Sequence, residues 1–294
     1  MKTRIVALVL AVLALVGCAR RHCVPDAIGA KHNLIDLSAA PDAHAPADPD
    51  ATREVADEYR KRLAPRRPAN APPYHFLALS GGGMYGAFGV GVLSGWTESG
   101  IRPSFDVVTG ISTGGLIATY AFLGPQYDER LRATMLGVTR REILRGRAIV
   151  VIPFADALYN ARPIKRLIDR ELTSQVIAEV AAAHAAGRRL YIGTTNIDTH
   201  RLVIWDMGAI ASRGTCESVE LFRKIVLASS SIPGVFPPVS IDVEIDGKHY
   251  EELHVDGGVS DEVIFRAFMV ADLNRAAGRP GAAAPAGSTL YVID

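Results

Sequence analysis

At 294 residues, with 49% hydrophobic and 21% charged composition, the chain can bury one large core with extensions and is no disordered polyelectrolyte. A formal net charge of +1 excludes a binder of nucleic acid driven by charge alone. The basic clusters at 60–67 and 140–147 read as solvated faces or linkers.

The chain begins with Lys2 and Arg4, an apolar run over 5–16, then Gly17 and Cys18. A charged start, a short apolar stretch and a small-residue cleavage site make a secretory signal over 1–17, and the run is shorter than the roughly 20 residues that span a bilayer. Leu15-Val16-Gly17-Cys18 resembles the lipobox of bacterial lipoproteins. The resemblance implies cleavage before Cys18, acylation of its thiol and new amino terminus, and a firm membrane anchor. Ala19 in place of Asp after the cysteine implies the outer membrane of the cell envelope. Residues 18–73 read as a tether rich in Ala, Pro, Asp and His, with a short helix predicted over 52–64 and prolines at 65, 68, 72 and 73. His22, His32 and His44 lack metal-ligand spacing. Cys23 and Cys216 are expected unpaired, although an oxidising compartment permits a disulfide.

A folded domain is expected over 74–294. Residues 75–79 read as a buried strand, followed by Ser80-Gly81-Gly82-Gly83-Met84-Tyr85-Gly86 and a helix running through Trp96 toward Gly100. Strand, glycines and helix present backbone N–H groups at the positive end of a helix, where an anion can sit. Gly81-x-Gly83-x-x-Gly86 also matches the dinucleotide fingerprint. That use requires an acidic residue at the end of the second strand, about twenty positions on. Asp106 has the separation but precedes Val107 and Val108, so it stands at the wrong end of the next strand. The stronger reading is an oxyanion hole.

Val107-Val108-Thr109 then enters Gly110-Ile111-Ser112-Thr113-Gly114, and small apolar residues leave it. G-x-S-x-G between a strand and a helix is a nucleophile elbow, a sharp turn that lifts the Ser112 hydroxyl out of the sheet. Gly110 and Gly114 keep the tight turn free of Cβ atoms.

Residues 128–188 read as mostly helical, interrupted by the apolar run 149–154, which is either core or a loop that receives an acyl chain. Residues 190–196 and 202–207 alternate as a hairpin at a sheet edge. A helix over 217–230 leads into Ser231-Ile232-Pro233-Gly234, a rigid turn expected to wall the site. His249 and His254 are expected to flank a short strand that ends in Asp256-Gly257-Gly258. Asp256 is either a strand-end site carboxylate or an Asp-Gly hairpin turn. No histidine follows it, so the Ser, acid, His order of an α/β-hydrolase is not met. The chain closes on a strand at 288–294, which leads us to expect further sequence, and such a part could supply a histidine.

The glycine loop, Gly110-Ile111-Ser112-Thr113-Gly114, the run from Ala228 through Ser229-Ser230-Ser231-Ile232-Pro233-Gly234-Val235-Phe236-Pro237 to Pro238, and Asp256-Gly257-Gly258 occur in this order. Together they resemble the patatin-like phospholipase family, from about residue 74 onward. The resemblance implies a three-layer α/β/α fold with a mostly parallel central sheet. It also implies a Ser-Asp dyad with Ser112 as nucleophile and Asp256 as general base. The N–H groups of Gly82, Gly83 and Thr113 become the oxyanion donors, with no cofactor and no metal. The family often carries Arg or Lys where this chain has Tyr85, a departure that weakens recognition of a phosphate head group. The implied function is a serine acyl hydrolase of lipid or phospholipid esters, anchored to a membrane. A Ser-His-Asp esterase, a dinucleotide-binding protein and a non-catalytic membrane-anchored binding lipoprotein are the alternatives.

Overall fold

The structure, a computed structural model, describes residues 73–83, 86–137, 157–245, 248–276, 284–285 and 287–294. The signal, Cys18, the tether, the 52–64 helix, Tyr85, both basic clusters and the 149–154 run lie outside the described residues.

The folded domain opens with β1 (His75–Leu79) and α1 (Gly86–Glu98), then β2 (Val107–Ile111) and α2 (Thr113–Leu123). Helices α3 (Asp128–Gly137), α4 (Arg162–Glu171) and α5 (Ser174–Ala185) follow. Next come the hairpin β3 (Arg189–Asn196) and β4 (Arg201–Asp206), the short α6 (Met207–Ala211) and α7 (Cys216–Ser229). The hairpin β5 (Val239–Ile245) and β6 (Lys248–Asp256), then α8 (Ala267–Ala276) and β7 (Thr289–Ile293), follow. Strand β5 and helix α8 had no expectation. His249 and His254 lie inside β6 rather than beside it, because the strand runs from Lys248.

Strands β7, β1, β2 and β3 are parallel neighbours. Strand β6 reverses against β3, and β5 reverses again against β6, so β5 shares the parallel direction and only β4 and β6 oppose it. The central sheet is therefore mostly parallel, and β4 is an edge strand as the hairpin pattern predicts. Parallel strands buried on both faces read as continuous apolar runs, and HFLAL and VVTGI do so.

One face of the sheet packs Leu77, Leu79, Val108, Leu190 and Ile192 against residues of α1, α2, α5 and α7. The other packs Phe76, Val107, Tyr191 and Ile204 under Ile264 and, from α8, Met269 and Leu273. Helices on both faces make the three layers. No helix among the described residues is long and apolar enough to cross a membrane.

The registers of β3 carry the consequence for the site. Strand β4 occupies one edge of β3 from Tyr191 to Asn196. On the opposite edge β2 pairs as far as Ile111↔Gly193, and β6 takes over at Thr194↔Asp256. Strands β2 and β6 thus run toward each other along one edge of β3 and stop end to end. The residue after Ile111 is Ser112, and the last residue of β6 is Asp256.

Candidate active site

Ser112 sits between β2 and α2 with φ 56° and ψ −130°, a backbone conformation that a residue with a Cβ seldom adopts. The turn is tight because nothing projects into it. A Cβ on Gly110 would strike the Gly114 carbonyl and lie 2.7 Å from the Ala118 methyl, and one on Gly114 would strike the Ser80 carbonyl. The glycine loop packs on this turn, with Gly81 against the Cβ of Ser112 and Gly86 against the Thr113 methyl.

Ser112 Oγ donates a hydrogen bond to Asp256 Oδ2 at 2.6 Å. Gly258 N–H donates to the other carboxylate oxygen, Oδ1, at 2.8 Å. Both side chains are buried. Burial raises the Asp256 pKa above the ordinary carboxylate range, and the bonds from Ser112 and Gly258 oppose that rise. The carboxylate is therefore a better base than a solvated one and already points at the hydroxyl proton.

The end of α7 and the loop after it hold both partners by their main chains. Ser112 N–H donates to Ser229 Oγ at 2.9 Å, and Ser229 Oγ donates in turn to the Gly193 carbonyl at 2.7 Å. Ser230 Oγ donates to the Ser112 carbonyl at 3.3 Å. Asp256 N–H donates to the Ser231 carbonyl at 3.0 Å. Three consecutive serines thus tie the nucleophile turn, the end of β6 and the middle of β3 together.

A cavity of about 890 Å³ opens over Ser112 and Asp256. Gly81, Gly82 and Gly83 line it on one side, and Leu79, Ile117, Phe88, Ile232, Pro233 and Val259 supply apolar wall. Phe88, Ile232 and Val259 are also exposed.

The patatin-like phospholipase family model matches residues 77–269, about two thirds of the chain. The chain belongs to the patatin-like phospholipase family. An uncharacterised protein of Acanthamoeba polyphaga mimivirus is 25% identical over 181 residues, covering 60% of this chain and 58% of that protein. VipD from Legionella pneumophila aligns with a TM-score of 0.42 and 14% identity, covering 67% of this chain and 48% of that one. The chain thus spans less than two thirds of the length of either.

In this patatin-like domain the four sequence motifs converge on one cavity. Gly82 and Gly83, at φ 117° and 57°, line it, and Thr113 opens α2 beside Ser112. Gly257 abuts the Gly193 carbonyl, so the Asp256-Gly257-Gly258 segment is no hairpin turn but a tight turn seated on β3. The dinucleotide test resolves on position: Asp106 accepts His75 N–H at the start of β1 and β2, the end of the sheet away from the glycine loop.

Among the described residues, no histidine hydrogen-bonds to Ser112 or Asp256. His254 is fully buried, joined to Thr194 Oγ1 at 2.9 Å and Glu252 Oε2 at 3.1 Å. His184 packs on Gly208, and burial with the nearby Arg189 lowers its pKa to about 4. His200 occupies the β3–β4 turn with φ 56°, and His249 is exposed on β6. Ser229, Ser230 and Ser231 belong to the motif that the sequence marks as a wall of the site, but their role in holding backbone is not legible there. Ile232 and Pro233 do line the cavity, whereas the serines bind backbone. Three serines in a row ahead of a proline are a weak signal, since serine is common in turns of every kind.

Proposed function

We propose that the chain is a serine acyl hydrolase of lipid esters that works through a Ser112–Asp256 dyad. The observation that carries this reading is the 2.6 Å bond from Ser112 Oγ to Asp256 at the floor of a largely apolar cavity. Membership of the family supports lipid esters as the substrate class, and the exposed apolar rim of Phe88, Ile232 and Val259 suits a substrate drawn from a lipid surface.

The chemistry follows from the geometry. Asp256 takes the hydroxyl proton as Ser112 Oγ attacks the ester carbonyl, and the charge that develops on the carbonyl oxygen faces the N–H groups of Gly82, Gly83 and Thr113. Ser112 N–H is held by Ser229 Oγ, which leaves the glycine loop and Thr113 as the donors. Collapse of the tetrahedral intermediate expels the alcohol, which leaves with the proton from Asp256. Water then attacks the acyl-serine, Asp256 accepts its proton, and the fatty acid departs as Ser112 recovers the hydrogen. Asp256 meets the hydroxyl directly, so the cycle needs no imidazole.

In the same proposal residues 1–17 are removed, Cys18 is acylated, and 18–73 tether the domain to the envelope membrane. Tethering raises the effective concentration of lipid substrate at the site. Ser112→Ala should lower hydrolysis of an acyl ester by at least about a thousandfold and abolish fluorophosphonate labelling. Asp256→Asn should leave binding of the ester intact while lowering kcat by about as much. Labelling retained in Ser112→Ala would falsify the nucleophile assignment, and full turnover in Asp256→Asn would remove the dyad.

A further inference from the structure

Given the acyl hydrolase reading above, on which it rests, we infer that the site prefers acyl esters whose head group carries no negative charge. The charges that line the cavity set this preference. Among the described residues that line it there is no Lys, Arg or His. The charged side chains there are all carboxylates: Asp256 at the floor, and Glu262 and Asp294, both exposed. Arg266, close in sequence to Glu262, is held by Asp261 at 2.6 Å.

Recognition of a phosphate monoanion or diester calls on Arg or Lys, because an oxyanion leaving water needs charged donors in its place. Among the described lining residues the wall is apolar and the exposed charges are acidic. Apolar walls lower the local dielectric and strengthen the field of the charges beside them, so a second negative charge entering beside Glu262 is repelled more than in open water. The backbone donors of the glycine loop do not offset this, since they lie beside Ser112, where the ester oxygen sits. A glyceride or simple alcohol ester brings only apolar chains, an ester and hydroxyl groups. These match the walls and cost nothing against the carboxylates.

The test uses the full chain in uncharged detergent micelles at fixed ionic strength. Turnover is measured on diacylglycerol, phosphatidylcholine and phosphatidylglycerol with identical acyl chains, for wild type, Glu262→Gln, Glu262→Lys and Ser112→Ala. Wild type should hydrolyse the uncharged ester at least about tenfold faster than the anionic one, with the zwitterionic lipid between them. Glu262→Lys should narrow that ratio about fivefold, Glu262→Gln less, and added salt should also narrow it. Equal or faster turnover of phosphatidylglycerol by wild type overturns the inference, as does a ratio that Glu262→Lys leaves unmoved. In both cases Ser112-dependent turnover keeps the hydrolase reading intact. Absence of turnover on every lipid, with no Ser112-dependent fluorophosphonate labelling, overturns both.

Discussion

Ser112 is held in an unfavourable backbone conformation, and the bonds that hold it cross three elements. Ser229 is buried and uses both its capacities, accepting from Ser112 N–H and donating to Gly193. Ser229→Ala removes both bonds and strands a buried N–H and a carbonyl, a cost of about 1–3 kcal/mol. We expect a urea midpoint lowered accordingly and a kcat reduced about tenfold or more with KM nearly unchanged, because the nucleophile relaxes while the cavity persists. The second expectation at this scale is a pH dependence. Asp256 must be ionised to accept a proton, and burial raises its pKa, so activity should be full at high pH and fall as pH drops through a value above that of an ordinary carboxylate. The stability linkage runs the other way. A carboxyl whose pKa is raised on folding contributes fully below its unfolded value and loses that contribution as pH rises through the folded one. Asp256→Asn should therefore be more thermostable than wild type at neutral pH, with the gap closing toward pH 4, a comparison that thermal melts at several pH values make directly.

At the scale of elements, the site is a consequence of where strands stop. The β2–α2 turn was legible because its requirement is local: glycines at 110 and 114, β-branched residues before, small apolar residues after. Gly114→Ala would drive a methyl into the Ser80 carbonyl and Gly110→Ala one into the Gly114 carbonyl, both backbone atoms with little room to yield. Overpacking of this kind costs about 1–3 kcal/mol or more. Soluble yield and melting temperature of either variant should fall, whereas Gly91→Ala, with open space around it on α1, should be neutral or slightly stabilising. The resemblance pairs Ser112 with Asp256, but the meeting of β2 with β6 that brings them together is not legible in the residues themselves. It depends on β6 pairing with β3 across about sixty residues, and nothing near Asp256 records that register. Strand β5 carries the alternating Val239-Ser240-Ile241-Asp242-Val243-Glu244-Ile245 pattern of a half-buried strand, but its place at the sheet edge follows only from pairing with β6. His249 and His254 differ in burial although they share a strand, since only the end of β6 lies on β3.

For the whole molecule, the proposed cell biology rests on the first 73 residues and the chemistry on the remainder. Cys18→Ser should move the protein from the membrane fraction to the soluble fraction and lower turnover of vesicle lipid about tenfold or more, with hydrolysis of a short soluble ester unchanged; fractionation and paired assays decide it. What the sequence determined by itself is whatever depends on neighbours in the chain. The glycine loop, the Ser112 turn and the apolar parallel strands impose their constraints within a few residues, and the ordered motifs were enough to indicate the family. Tertiary structure alone decided how Asp256 reaches Ser112 and at what distance, that Ser229–Ser231 clamp the backbone, and that His254 is spent on Thr194 and Glu252. Those outcomes depend on strand register and on which face each strand turns to its neighbours. Such long-range pairings arise only when the sheet closes around one core.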